Sequence, residues 1–305
     1  MAANGISELS TKEARQLAKL ALAAVDRAAA GRRSVYDISE LPTKYSGNTV
    51  VDNINSDGLV VGRPWSTSET PNLFSGLAIW YDTSLASTIN SGTYSNGTIV
   101  TSFLNRVTST SPNMLSADGP TVQTGAGDTL NGYPVLRFTS STGTSDNMRF
   151  FTEAFDDATG WTMVCLAKLS VTPGKNPAIF NIVANTTNLG TVRYNSQSQF
   201  VLYAPTGTAS VASNVDPDGT WKIITCRYDS TAAAASRFTF KWAKTARTVT
   251  NSGTVPSGTI SNTSDRVETM SAWDGDFAEQ VAYTRALSDE EIIALEDYLS
   301  SKWGV

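Results

Sequence analysis

The carboxylates are where this sequence would have to keep any bond-breaking chemistry. A pair that cleaves a glycosidic bond must project from one surface, and on a strand that means alternate positions, as in E-x-D-x-E. No such run occurs. Asp276 and Glu279 come nearest, but three residues apart on a strand they are expected to face opposite ways. Glu290, Glu291, Glu296 and Asp297 fall on a helical stretch and read as a solvated face. Glu153, Asp156 and Asp157 sit in a loop before Trp161. Calcium needs several oxygen ligands from clustered loops; Asp156-Asp157 and Asp216-Pro217-Asp218-Gly219 are where it would sit, and Asp-Pro-Asp-Gly reads equally well as a turn. Histidine is absent, which removes the commonest general base and zinc ligand and leaves any serine nucleophile without its usual partner. Cys165 lies mid-strand, not in an exposed basic pocket. Gly125-Ala126-Gly127 lacks the Lys/Ser partner and following helix of a phosphate cradle. No catalytic residue, metal ligand or cofactor is therefore assigned. Sugar binding needs less: an exposed aromatic ring with a few amide and carboxyl groups. Trp65, Tyr94, Tyr194, Tyr203, Trp242 and Trp273 are candidates, each against the simpler reading of core packing.

The elements that must position these residues are strands. Residues Gly160–Ser170 (GWTMVCLAKLS) alternate, with Trp161, Met163, Cys165, Ala167 and Leu169 on one face and apolar Val164 and Leu166 on the other. Their echo, Gly219–Ser230 (GTWKIITCRYDS), sets Ile223 against Ile224, Cys226 and Tyr228. Both read as inner strands covered on two sides. Further strands are expected at Leu77–Ser84, Thr98–Val107, Asn131–Ser141, Met148–Phe151, Ala178–Asn185, Thr191–Ser196, Phe200–Pro205, Arg237–Lys244 and Phe277–Leu287. Short strands split by Gly/Pro/Ser/Asn turns indicate an all-β sandwich or barrel. The end is helical: Ser288-Asp289-Glu290-Glu291 caps a stretch with Ile292, Leu295, Leu299 and Trp303 at helical spacing.

The front differs. Ser10-Thr11-Lys12-Glu13 forms a capping box, strong helix formers run to Ala30, and Gly31 stands where a helix stops. Ala14, Leu17, Ala21, Ala24 and Ala28 make a seam at three-four spacing, widened by Ala18, Leu22, Val25 and Ala29. This helix of residues 1–33 either packs on its own domain or docks into partner chains; docking is favoured, because no helical domain follows it. Residues 34–74 show little periodicity but many apolar anchors, which suits an extended arm laid along a surface. Residues 1–46 carry a net +2 and the remainder −7. The overall −5 and a pI near 4.9 argue against bulk attraction to nucleic acid or anionic membrane. Charged residues make up 17% of the chain, low for a helical enzyme and in keeping with a turn-rich β surface. No apolar run is long enough to span a membrane. The opening MAANGISELSTKEARQ has no apolar core of signal-peptide type, so synthesis in a cytoplasm is expected.

The closing stretch carries a resemblance. Gly275, Asp276, Ala278 and Glu279, then Tyr283, Arg285, Ala286, Leu287, Ser288, Asp289 and Glu291, then Tyr298, Leu299, Lys302, Trp303 and Gly304 are similar to the end of concanavalin A-like domains of the laminin-G/pentraxin type. With LAIWYD, NGYPVLRF and the two Trp-led strands before it, the likeness covers roughly residues 75–305. It implies an antiparallel two-sheet jelly-roll sandwich over 75–305, preceded by helix and arm and ended by a short helix. Phe138-Thr139-Ser140 departs from the F-D-G that members often carry, so a ligand-facing loop differs there. The resemblance also implies that Cys165 and Cys226 face each other on neighbouring strands; in a reducing cytoplasm, two buried thiols are the expected state. The front, from Met-Ala-Ala-Asn-Gly-Ile-Ser to Tyr36–Pro42, resembles that of virion structural proteins of tailed bacteriophages over about 65 residues. The resulting expectation is a non-enzymatic, oligomeric virion protein, a fibre, collar or decoration element. Residues 1–74 would dock to other virion proteins while the sandwich projects outward, with no nucleic-acid or membrane partner. The rival expectation is an adhesin for host surface polysaccharide; a polysaccharide-degrading enzyme comes third.

Overall fold

A computed structural model describes residues 36–37, 59–60, 70–107, 114–115, 119–139, 148–151, 154–170, 177–184, 187–195, 199–203, 209–212, 215, 217–251, 255, 257, 259–260 and 265–305. The chain forms two compact units, Met1–Ser68 and Glu69–Val305. In the first, strands β1 (Tyr36–Asp37) and β2 (Leu59–Val60) pair antiparallel, with Tyr36 opposite Val60. The seam Ala14, Leu17, Ala21, Ala24 and Ala28 lies outside the described residues.

The second unit is an antiparallel two-sheet β-sandwich closed by a helix. Its strands are β3 (Leu77–Asp82), β4 (Met114–Leu115), β5 (Thr121–Gln123), β6 (Val135–Phe138), β7 (Met148–Phe151), β8 (Gly160–Leu169), β9 (Ala178–Ala184), β10 (Thr187–Asn195), β11 (Gln199–Tyr203) and β12 (Ala209–Ala212), followed by β13 (Trp221–Asp229), β14 (Phe238–Trp242), β15 (Thr245–Arg247), β16 (Val249–Asn251), β17 (Asp265–Ser271) and β18 (Gly275–Tyr283). One sheet runs β15-β14-β13-β8-β18-β6-β5, with β3 also on β18; the other runs β16-β12-β11-β10-β9-β17-β7-β4. The two Trp-led strands lie side by side, β8 against β13 over their whole length. Their alternation sorts the core as expected. Trp161, Met163, Cys165, Ala167 and Leu169 join Ile224, Cys226 and Tyr228 between the sheets. Val164, Leu166 and Ile223 face the other way, under helix α1 (Asp289–Trp303) with Ile292, Leu295, Leu299 and Trp303. Burying apolar faces on both sides explains why β8 is apolar almost throughout.

Helix α1 begins at a capping box between Ser288 and Glu291 and ends at Gly304 in the left-handed region, φ 73°, the stop that a glycine makes cheap. Three expectations need correction. Thr98–Val107 is not a strand; it makes only isolated bridges, Ile99 to Thr121 and Phe103 to Ile89. Strands β4, β5, β12, β15, β16 and β17 form where none is expected; of these β17 is central, and Asp265-Arg266-Val267-Glu268-Thr269-Met270-Ser271 has too few apolar positions to announce it. The cysteines are not opposite one another: Cys165 stands across from Ile224 and Cys226 across from Met163. They lie diagonally on one face as buried free thiols, and burial pushes both thiols well up.

Candidate functional site

Strand β18 holds Asp276 and Glu279, and it does not run regularly. Its pairing with β8 shifts between Phe277 and Glu279, so Asp276 stands across from Lys168 and Glu279 across from Leu166. Lys168 and Leu166 share one face of β8, and the β-bulge at Ala278 therefore brings Asp276 and Glu279 to the same face of their sheet. Two carboxylates three apart thus face one way, contrary to strict alternation. The Ala278 carbonyl is taken up by the Thr83 amide at 3.1 Å and hydroxyl at 2.9 Å.

Glu279 is wholly buried beneath α1. Its Oε1 accepts from Trp80 Nε1 at 2.8 Å and the Tyr298 hydroxyl at 2.7 Å. Its Oε2 accepts from Lys302 Nζ and Trp303 Nε1, both at 2.7 Å. Asp82 stands directly across from Glu279; its Oδ1 meets the same Lys302 at 2.7 Å and its Oδ2 meets Arg106 at 2.9 Å. Burial, then the facing Asp82, push the Glu279 carboxyl up, against the pull of Lys302. Two carboxylates and a lysine at such distances look catalytic. They instead hold α1 to its sheet, since every oxygen of Glu279 is occupied by protein donors and the group lies under the helix. The closing signature is accordingly a clamp: Glu279, Tyr298, Lys302 and Trp303 are its parts. The other helix carboxylates divide. Glu290 and Asp297 are exposed as expected, but Glu296 is buried and binds Thr225 at 2.8 Å and Lys241 at 3.1 Å. Glu291 forms a two-pronged pair with Arg285 at 2.9 and 2.6 Å, which holds its carboxyl below the ordinary value.

Asp276 serves a different place. One row of directly opposed residues crosses five strands: Thr121, Arg137, Asp276, Lys168 and Trp221. Asp276 is 2% exposed and is gripped by Arg137 Nε at 2.8 Å and Lys168 Nζ at 2.6 Å. Arg137 also reaches Asp128 at 3.1 Å. Gly275 opens β18 at φ 148°, where a Cβ would collide with the Lys168 carbonyl, so only glycine lets the strands close here. The middle of the row, Arg137, Asp276 and Lys168, floors an open cleft of about 310 Å3, whose lining includes Ser170, Asp274 and Gly219. Ser170 N–H donates to the Asp274 carbonyl at 2.8 Å, and burial, then Asp276, push the Asp274 carboxyl up.

The outer face of the second sheet is also polar but only partly open, with Thr191 2% and Val201 8% exposed. Phe180, Ile182, Val192, Tyr194, Phe200 and Leu202 fill the core, so the residues between them turn outward. Thr191 donates to Asn181 at 2.6 Å, and Arg193 Nη2 donates to the Tyr203 hydroxyl at 2.7 Å with its guanidinium 5.3 Å from the ring centre. Arg193 Nε is buried without a hydrogen-bond partner among the described residues. Of the aromatic candidates, Tyr194, Trp242 and Trp273 are buried and Tyr94 packs against the core; Tyr203 is half-buried on this face, and Trp65 lies outside the described residues. Asp218 bonds Lys222 at 2.8 Å and caps its own turn through Thr220. Asp216 and Glu153 are outside the described residues. No group of three His, Cys, Asp or Glu residues suited to a metal gathers among the described residues.

No family model matches the chain, and no curated protein sequence does. Among solved structures, Trypanosoma rangeli sialidase aligns at 12% identity and TM-score 0.49 over 75% of this chain and 33% of its own. A structure from work on the cell entry of botulinum neurotoxin type C, with its two ganglioside molecules, aligns at 10% identity and TM-score 0.49 over 77% and 53%. The binding domain of Paraclostridial Mosquitocidal Protein 1 aligns at 13% identity and TM-score 0.44 over 68% and 52%. The chain spans about a third of the sialidase and about half of each toxin chain.

Proposed function

We propose that the chain is a non-enzymatic attachment protein whose β-sandwich holds a surface polysaccharide, and that residues 1–74 tie it to the particle of a tailed phage. The observation that carries the binding role is the outward pair Arg193 and Tyr203, with half-buried Asn181 on the same face. It sets guanidinium, phenol and amide groups close together on one sheet face, the chemistry that takes up sugar hydroxyls, while the Thr191 hydroxyl beneath them is buried and spent on Asn181. The same inventory supports a body that binds without cleaving. Glu279 and Asp82 are spent on the helix clamp, Asp276 is saturated by Arg137 and Lys168, and Glu296 is bonded to its own sheet. The particle setting rests on the residues of the front and on the absence of a helical domain behind them among the described residues.

The test has two arms. Arg193→Ala and Tyr203→Ala should weaken binding to host surface polysaccharide in a pull-down while leaving thermal unfolding in place. Retained binding in both variants refutes the sheet-face reading. Removing residues 1–33 should abolish incorporation into particles; wild-type occupancy of the truncated chain refutes the anchor. Release of reducing sugar from that polysaccharide by the purified protein would overturn the non-enzymatic reading.

A further inference from the structure

We propose a second, independent glycan subsite in the cleft floored by Arg137, Asp276 and Lys168, on the opposite sheet from Arg193 and Tyr203, which takes the vicinal hydroxyls of one neutral sugar ring. The argument starts from which valences are spent. Asp276 is saturated, but Arg137 binds through Nε and Nη2 only, and its Nη1 has no partner among the described residues. Lys168 gives one contact to Asp276 and keeps further N–H bonds to offer. The Asp274 carboxylate has no hydrogen-bond partner among the described residues, and the Ser170 amide on its carbonyl fixes it at the rim. Donors at the floor thus face an acceptor at the edge.

Charge selects the ligand class. Arg137 and Lys168 are outnumbered by Asp128, Asp274 and Asp276, which disfavours a free anion. A metal ion would meet a guanidinium and an ammonium at the floor. A sugar hydroxyl suits both sides, since it accepts from Lys168 or Arg137 while its neighbour donates to Asp274. About 310 Å3 lies at the small end of ligand sites, ~300–1,000 Å3, with room for a single ring. Trp221 extends the row beyond Lys168, whose ammonium lies 5.9 Å from its ring centre; its ring packs on the apolar cluster under α1 and holds the Lys168 stem in place without lining the cleft.

The inference does not depend on the sheet-face site, and the experiment separates them. The methyl glycosides of glucose, galactose, mannose and N-acetylglucosamine are titrated into the full-length protein, with backbone amide shifts followed by NMR. At least one should shift the amides of Lys168, Ser170, Gly219 and Asp274 saturably. Asp274→Ala should weaken that binding by about tenfold or more, the usual effect of losing a hydrogen bond to a charged group, with unfolding unchanged. Arg193→Ala should leave those shifts in place. No saturable shift at these amides with any of the four probes overturns the subsite, as does undiminished binding in Asp274→Ala. Loss of all binding in Arg193→Ala alone overturns it too, while leaving the sheet-face reading standing.

Discussion

Glu279→Gln is the sharpest test of the clamp beneath α1. The substitution keeps the shape and one acceptor oxygen, and replaces the other oxygen with two N–H donors. Four donors point at this carboxylate: Trp80 Nε1, the Tyr298 hydroxyl, Lys302 Nζ and Trp303 Nε1, all within 2.8 Å. The amide nitrogen would settle on the Oε1 side, because the Tyr298 hydroxyl can rotate to accept from it. Trp80 Nε1 cannot, and is left buried without an acceptor at a cost of about 1–3 kcal/mol. Lys302 loses one of its two carboxylates but keeps Asp82 at 2.7 Å. Relief of repulsion between Asp82 and Glu279 offsets part of the loss. The expected net destabilisation is about 2–3 kcal/mol, seen as a midpoint lower by about 5–10 °C. Glu279→Ala removes both oxygens and opens a cavity, and should cost about 3–5 kcal/mol or prevent folding. Glu290→Gln, exposed on the same helix, should stay within about 0.5 kcal/mol. Urea unfolding of all three variants, with m-values compared, is the assay. If Glu279→Gln is as stable as the parent, or more so, burial cost outweighs the four hydrogen bonds, and the clamp account fails.

Two further outcomes follow from the same contacts. Arg285 depresses the folded-state value of Glu291, so this pair's stabilisation is complete above the ordinary glutamate value and is lost as pH falls through the depressed one; Glu291→Gln should flatten that part of the acid stability profile, and an unchanged profile would rule the pair out as its source. Cys165 and Cys226 are buried, with thiols pushed well up, so a thiol reagent should modify neither in native protein and both after unfolding in denaturant; rapid native labelling would contradict the packing described.

Fold and site are unequally legible in the sequence. Strands β8 and β13 are readable because both their faces are buried, so the apolar pattern itself reports two cores. Helix α1 is readable because Ser288 and Glu291 cap it and Ile292, Leu295, Leu299 and Trp303 line one side. Strand β17 is hidden because its polar positions outnumber Val267 and Met270. The cleft is illegible for another reason. Arg137, Asp276 and Lys168 come from three strands and meet only through register, which no local pattern carries. Glu296 reads as solvated because its partners, Thr225 and Lys241, sit on strands far away in sequence.

The bulge at Ala278 shows how one inserted residue can separate two tasks. Without it, Asp276 and Glu279 would point to opposite faces, and one carboxylate would enter the apolar core among Phe277, Met163 and Cys165. Burying an unpaired charge there would cost several kcal/mol. With it, both emerge on the helix side, where α1 reaches Glu279 but stops short of Asp276. The covered carboxylate then finds Lys302 and two indole N–H groups, and the uncovered one finds Arg137 and Lys168 at the floor of an open cleft. The same three-residue spacing that argued against shared chemistry therefore makes one carboxylate a fastening and leaves the other at a surface where a ligand can reach its neighbours.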